Sequence, residues 1–253
     1  MTSPFTIKTL KFLRALKRNN DREWFRERKA RYEAEVRQPM IALIDQLAID
    51  FSRFAPEFIA EPKVSLHRVY RDTRFSADKS PLKTHVSARF PMRGVPKGAG
   101  GGLYVEVAPA WVWMGGGLYM PSNPQLQSIR AQIASTHPRL HRLVTTPAFR
   151  QAVGTLEGER LSRVPRGYAA DHPAAHYLQF KQFLAGREFE AEFATTRAFY
   201  RELLATFRAV APVVRFLNAG LAATPAPDLP AAATPRPGRK HTESHPPVPA
   251  PMW

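Results

Sequence analysis

Val86-Ser87-Ala88-Arg89-Phe90, Leu103-Tyr104-Val105-Glu106-Val107 and Trp111-Val112-Trp113-Met114 alternate in polarity, and that alternation decides the fold class. Successive side chains of a strand point to opposite faces. Val86, Ala88 and Phe90 therefore share one face, and Ser87 and Arg89 the other. Leu103, Val105 and Val107 separate from Tyr104 and Glu106 in the same way. The period begins earlier, at Lys63: Val64, Leu66, Arg68 and Tyr70 fall on one face, Ser65, His67, Val69 and Arg71 on the other. Gly94 to Gly102 reads as a glycine-rich connection, and Gly115-Gly116-Gly117 as the end of the fourth strand. Four strands joined by short or glycine-rich links predict an antiparallel meander.

Helical periodicity flanks this segment on both sides. Ile7, Leu10, Leu13 and Leu16 form an apolar stripe, predicting a helix over 6–18. Asn20, with Glu23 three residues on, reads as the cap of a second helix carrying Phe25, Tyr32, Val36, Met40, Leu43, Leu47 and Phe51. Pro39 predicts a kink or restart within it. Asn123-Pro124 opens a further helix, and shorter ones are predicted over 138–144 and 147–153. A short strand is expected over 160–164, and helices over 172–184 and 195–219. The fold class is α+β: a mainly antiparallel sheet of about four to six strands, packed by long N- and C-terminal helices. Residues 1–222 read as a single domain, and 223–253, rich in Pro and Ala, as a disordered tail.

Of the 253 residues, 37 are Lys or Arg against 21 Asp or Glu, a formal charge of +16. Arg236, Arg239 and Lys240 against Asp228 and Glu243 leave almost all of it on the body of the chain. Such an excess attracts phosphates and nucleic acid, although 27 Arg against 10 Lys also fits a plain compositional bias. With no cysteine there are no disulfides, thiolate metal sites or Cys nucleophile. No run of eighteen apolar residues occurs, so no membrane span is expected. The start lacks the apolar core of a secretory signal, and a cytoplasmic location is expected.

The densest chemistry lies between the first two expected strands, in Arg71-Asp72-Thr73-Arg74-Phe75-Ser76-Ala77-Asp78-Lys79-Ser80-Pro81-Leu82-Lys83-Thr84. Arg68, Arg71, Asp72, Arg74, Asp78, Lys79 and Lys83 are the candidate ligand-binding residues. On one reading the cations clamp phosphate or carboxylate groups, with Asp72 and Asp78 orienting them. On the other, the two carboxylates accept from Arg and backbone donors and pin the loop. Catalytic residues stay unassigned, and so does any cofactor. Acid/base work by Asp72, with His85, or by Asp78 is the enzymatic alternative. His67, His85, Asp72 and Asp78 lie near one another in sequence, but no metal-ligand spacing supports a site, and none is expected. Gly94 to Gly102 lacks the Gly-Lys-Ser/Thr ending of a phosphate loop.

Asn19-Asn20-Asp21-Arg22-Glu23-Trp24-Phe25, the charged loop, and Gly115-Gly116-Gly117-Leu118-Tyr119-Met120-Pro121 resemble, in order, the signature segments of the conserved hypothetical proteins of domain-of-unknown-function family 2461. The resemblance covers about residues 4–220 and implies no activity. The family usually has Tyr where this chain has Leu82, so any chemistry that hydroxyl performs is missing here. Three functional classes follow: a module binding an anionic small molecule or nucleic acid, an enzyme acting on an anionic substrate, and a partner-binding scaffold.

Overall fold

A computed structural model describes residues 3–74, 76–95 and 98–222. The expected tail, Phe75 and Lys97 lie outside the described residues. Helix α1 (Ile7–Arg18) starts at Thr6, whose hydroxyl accepts from the Lys8 N–H. Asp21, not Asn20, caps α2 (Arg22–Glu27), its carboxylate accepting from the Glu23 and Trp24 amides. Helix α3 (Lys29–Tyr32) passes through a single wide turn, Glu33–Arg37, into α4 (Gln38–Phe54). That π-turn falls just before Pro39, where the ring removes a backbone donor, so the chain absorbs the proline without ending the helix.

The expected strand over 64–71 is not formed. Pro62 sits in the first turn of α5 (Pro62–Ser65), and Ser65 Oγ donates to the Ile59 carbonyl and accepts from the Glu61 amide. Beyond it the chain makes only single bridges, Leu66 to Ala88 and Tyr70 to Leu82. The alternation survives in an irregular hairpin leg.

The sheet is an antiparallel meander in the order β1-β2-β3-β4: β1 (Val86–Pro91), β2 (Gly102–Val107), β3 (Trp111–Leu118) and β4 (Phe183–Glu190). Strand β3 runs through its glycines instead of stopping at them, pairing Gly115 with Gly186 and Gly117 with Leu184. A side chain at Gly116 would meet Val210 Cγ1 at 3.1 Å and the Gly102 carbonyl at 2.7 Å, so the glycine allows close approach of a neighbouring strand and a helix. The fourth strand comes from 183–190, where a helix over 172–184 was expected. Only α8 (Ala175–Leu178) is helical there, and Phe183 and Ala185 turn inward against β3. The strand expected over 160–164 reduces to one bridge, Arg160 to Phe180.

Helix α6 (Asn123–Thr145) is capped by Ser122 and kinks at Thr136, so the segment from Pro138 continues it. Helix α7 (Pro147–Val153) follows, and a 3-10 turn, Ala191–Thr195, leads into α9 (Phe199–Ala222). Helices α4 and α9 cover the apolar face of the sheet, where Phe51, Phe90 and Phe207 meet edge to face or tilted. Among the described residues, Phe199–Leu221 alone is long and apolar enough to cross a membrane, but most of it is buried in this core.

Candidate functional site

The other sheet face carries polar residues in two cross-strand rows. Ser87, Glu106, Trp113 and Glu188 stand side by side, and next to them Arg89, Tyr104, Gly115 and Gly186. Trp113 lies flat against the second row, where a side chain at Gly186 would collide with its indole. Over β1 passes the leg 66–71, tied by the His67 amide to the Ser87 carbonyl at 3.1 Å. The second leg returns through 81–83, with the Arg71 amide on the Pro81 carbonyl and the Lys83 amide on that of Val69. The charged loop is thus the tip of an irregular hairpin.

Within that tip most charges face one another. Arg74 grips Asp72 with two donors, at 3.0 and 2.7 Å. The Arg71 guanidinium pairs with Asp78, whose other oxygen accepts from the Ser80 amide at 2.8 Å. Lys79 Nζ donates to the Thr73 carbonyl at 3.0 Å. These donors hold both carboxyls at about 2, Asp72 chiefly through Arg74 and Asp78 chiefly through Ser80. Arg68 and Lys83 make no ion pair with the described residues. Burial lowers the Lys83 pKa, and the Glu106 charge opposes that.

Beside the hairpin runs a groove of about 710 Å³, whose lining includes Lys63, His67, Arg68, Arg89, Gly117 and Tyr119. No carboxylate is among the described residues that line it. A second hollow of about 560 Å³ shares Lys63, His67 and Arg68. Arg89 is largely buried, which lowers its pKa, and it donates to the Gly100 carbonyl.

Behind His67 lies a buried polar cluster. His67 Nδ1 is 3.0 Å from Ser87 Oγ. Ser87 stands diagonally across from Tyr104 on this face, near enough for its hydroxyl to oppose the rise of the Tyr104 pKa, and Tyr104 donates to Glu106 Oε2. His85 Nδ1 lies 3.3 Å from Glu106 Oε1, and its Nε2 is buried with no hydrogen-bond partner among the described residues. Ser87, Tyr104 and Glu106 are at most 1% exposed. Burial raises the Glu106 pKa to about 7, against the Tyr104 hydrogen bond and the Lys83 charge. Burial, with Lys83 and other cations nearby, lowers His67 to about 4 and His85 to about 3. Groups so perturbed, clustered behind a groove, make this the candidate site.

Of the residues singled out in the sequence, the structure brings Arg68, Lys83, His67 and His85 to this cluster and groove. Asp72, Arg74, Asp78 and Lys79 stay in the hairpin tip, and Arg71 bridges the two, close enough to bear on His85 while paired with Asp78. Sequence reasoning missed Glu106, Tyr104, Ser87, Lys63 and Arg89. The alternation puts Glu106 on the polar face with Tyr104, and nothing local shows that the hairpin leg buries that face. Among the described residues no group of three His, Asp or Glu side chains could hold a metal ion.

The three signature segments converge here. Asn20 bonds both backbone groups of Leu82, donating to its carbonyl at 2.9 Å and accepting from its amide at 3.1 Å. Phe25 packs edge to face on Tyr70, 5.9 Å between ring centres, and Gly117 and Tyr119 line the groove. The Leu82 side chain is fully buried, in the core. Neither the curated proteins nor the solved structures give a match. The model of the conserved hypothetical protein family DUF2461 matches residues 8–216, and the chain belongs to that family.

Proposed function

We propose that this protein binds a small phosphate- or carboxylate-bearing ligand in the groove between the hairpin and the sheet. The observation that carries the reading is the groove's lining: Lys63, Arg68 and Arg89, beside a neutral His67, with no carboxylate among the described residues. Cations that have no anionic partner among the described residues attract one from solution, and arginine offers two parallel donors to an oxyanion. The hairpin tip serves as scaffold, its two Arg–Asp pairs setting the shape of the leg that presents Arg68. Asp72 and Asp78, ionised at neutral pH, act as acceptors in that scaffold.

Calorimetric titration with inorganic phosphate and with sulfate tests the reading. A Lys63→Ala/Arg68→Ala variant removes two exposed cations without disturbing the core. Binding at least about tenfold weaker in that variant, at unchanged melting temperature, is the expected result, since one lost charge-assisted contact is worth about 1.5–3 kcal/mol. Equal binding in both proteins, or none in either, overturns it. Tighter, salt-sensitive binding of single-stranded DNA or RNA, lost in the same variant, would reassign the groove to nucleic acid.

A further inference from the structure

Resting on that reading, we infer that His67, Ser87, Tyr104 and Glu106 form a proton relay, which makes the groove an acid–base catalytic site for a phosphate- or carboxylate-bearing substrate. His67 meets Ser87 and Tyr104 meets Glu106, and the diagonal placement of Ser87 and Tyr104 on adjacent strands joins the two pairs, from a residue lining the groove to a carboxyl out of reach of solvent. The donors all point one way. Tyr104 spends its one proton on Glu106, so the proton shared between Ser87 and Tyr104 is that of Ser87, and the Ser87 oxygen is left to accept from His67 Nδ1–H. That order selects the Nδ1–H tautomer of His67 and leaves the lone pair on Nε2 as the ring atom for a substrate.

The transfer balances along the chain. His67 Nε2 takes a proton from a substrate hydroxyl, a carbon acid or a bound water. Its Nδ1 proton passes to Ser87 Oγ, the Ser87 proton to Tyr104 Oη, and the Tyr104 proton to Glu106 Oε2. The substrate has lost one proton, Glu106 has gained one, and Ser87 and Tyr104 end as they began. His67 ends as the Nε2–H tautomer, set to return the proton to a product by the reverse path. His67 is the catalytic residue, and the others act through it.

The surroundings suit an anionic substrate. Lys83 and Arg89 bear on His67, Lys83, His67 and Arg71 on His85, and Lys83 on Glu106. Arg68 lies on the groove beside them, and Glu188 stands in the Glu106 row beyond Trp113. An anion among these cations offsets their field and makes both His67 and Glu106 more basic, so the relay gains proton affinity as the substrate arrives. His85 bears on the end of the relay, where its Nδ1–H can hold the second Glu106 oxygen.

Two measurements on the full chain test the relay, with Tyr104→Phe and Glu106→Gln as near-isosteric variants. Nitrogen-15 spectra of the histidines, with His67 assigned by its loss in His67→Gln, report the tautomer. Nδ1–H in the parent protein and a mixed population in Tyr104→Phe are expected. Sulfate, which does not titrate near neutrality, is then bound at about pH 7 in buffers of different ionisation enthalpy. Uptake of a fraction of a proton by the parent, abolished in Glu106→Gln at an affinity within a few-fold, supports the relay. An Nε2–H tautomer, a tautomer indifferent to Tyr104→Phe, or sulfate binding without proton uptake overturns it and leaves the groove reading standing. Failure of sulfate and phosphate to bind the parent at all overturns the groove reading, and the substrate assignment with it.

Discussion

Glu106 stands on the polar face of β2, as the alternation predicts, yet it is buried. It sits between two valines of the opposite face, near the end of β2, and both of its oxygens meet neutral hydrogen-bonding side chains. Its raised pKa and the lowered ones of His67 and His85 act oppositely on stability. The folded protein holds the Glu106 proton up to about 7, against an ordinary value of 4.5, so this group favours the native state at low pH and loses that effect as pH rises through 7. The histidines release protons on folding between their lowered values, about 4 and 3, and 6.5, so they favour the native state increasingly as pH rises over that range. Two histidines outweigh one glutamate, and stability is expected to climb by about one proton's worth around pH 5.5 and flatten near 7. Glu106→Gln removes the opposing group, and urea melts across pH 5–7 should show a steeper climb than in the parent. An equal or shallower slope would contradict the assignment. Asn20 makes the second residue-scale case. Asn20→Ala strands the amide and carbonyl of Leu82, and a loss of about 1–3 kcal/mol is expected by denaturant titration.

At the scale of elements, pattern and structure part wherever an element owes its form to a distant partner. The leg 66–71 keeps a strand's alternation but makes only isolated bridges, because Pro62 starts a helical turn and the leg divides its bonds between β1 and the returning leg 81–83. Strand β4 reads as the end of a helix until β3 is laid beside it. Its Gly186 is explained only by the Trp113 indole that fills the space. Gly186→Ala forces that ring aside and is expected to cost about 1–3 kcal/mol, with a change in tryptophan fluorescence. An unaltered melt would mean that the indole does not rest there. Gly117 is constrained further by a φ of 139°, reserved in practice for glycine, where it passes close to the Phe183 carbonyl.

Across the whole molecule, the sheet divides the protein into two unlike halves. One side is the apolar core under α4 and α9, closed by Phe51, Phe90 and Phe207. The other is the polar layer beneath the hairpin, from which the groove opens. Phe207→Ala is expected to cost about 3–5 kcal/mol in thermal or denaturant unfolding while leaving phosphate titrations of the folded protein unchanged. A coupled loss of binding would show that the halves are not independent. The excess of positive charge, spread through the sequence, becomes a local matter here. In the hairpin tip Asp72 and Asp78 neutralise their arginines, while Lys63, Arg68 and Arg89 are gathered on a groove that no such acid lines among the described residues.

The sequence by itself determined the α+β class, the long terminal helices, three of the four strands and the family, because periodicity and short motifs are local properties that survive without knowledge of the fold. It also marked the 71–84 segment as chemically dense. Only the tertiary structure decided which of those charges are already paired and where the fourth strand comes from. It also showed that a glutamate and a tyrosine on β2, a serine on β1 and a histidine on the hairpin leg touch in sequence-distant order. Those contacts depend on cross-strand register and on what covers each sheet face, and register links residues far apart in the chain.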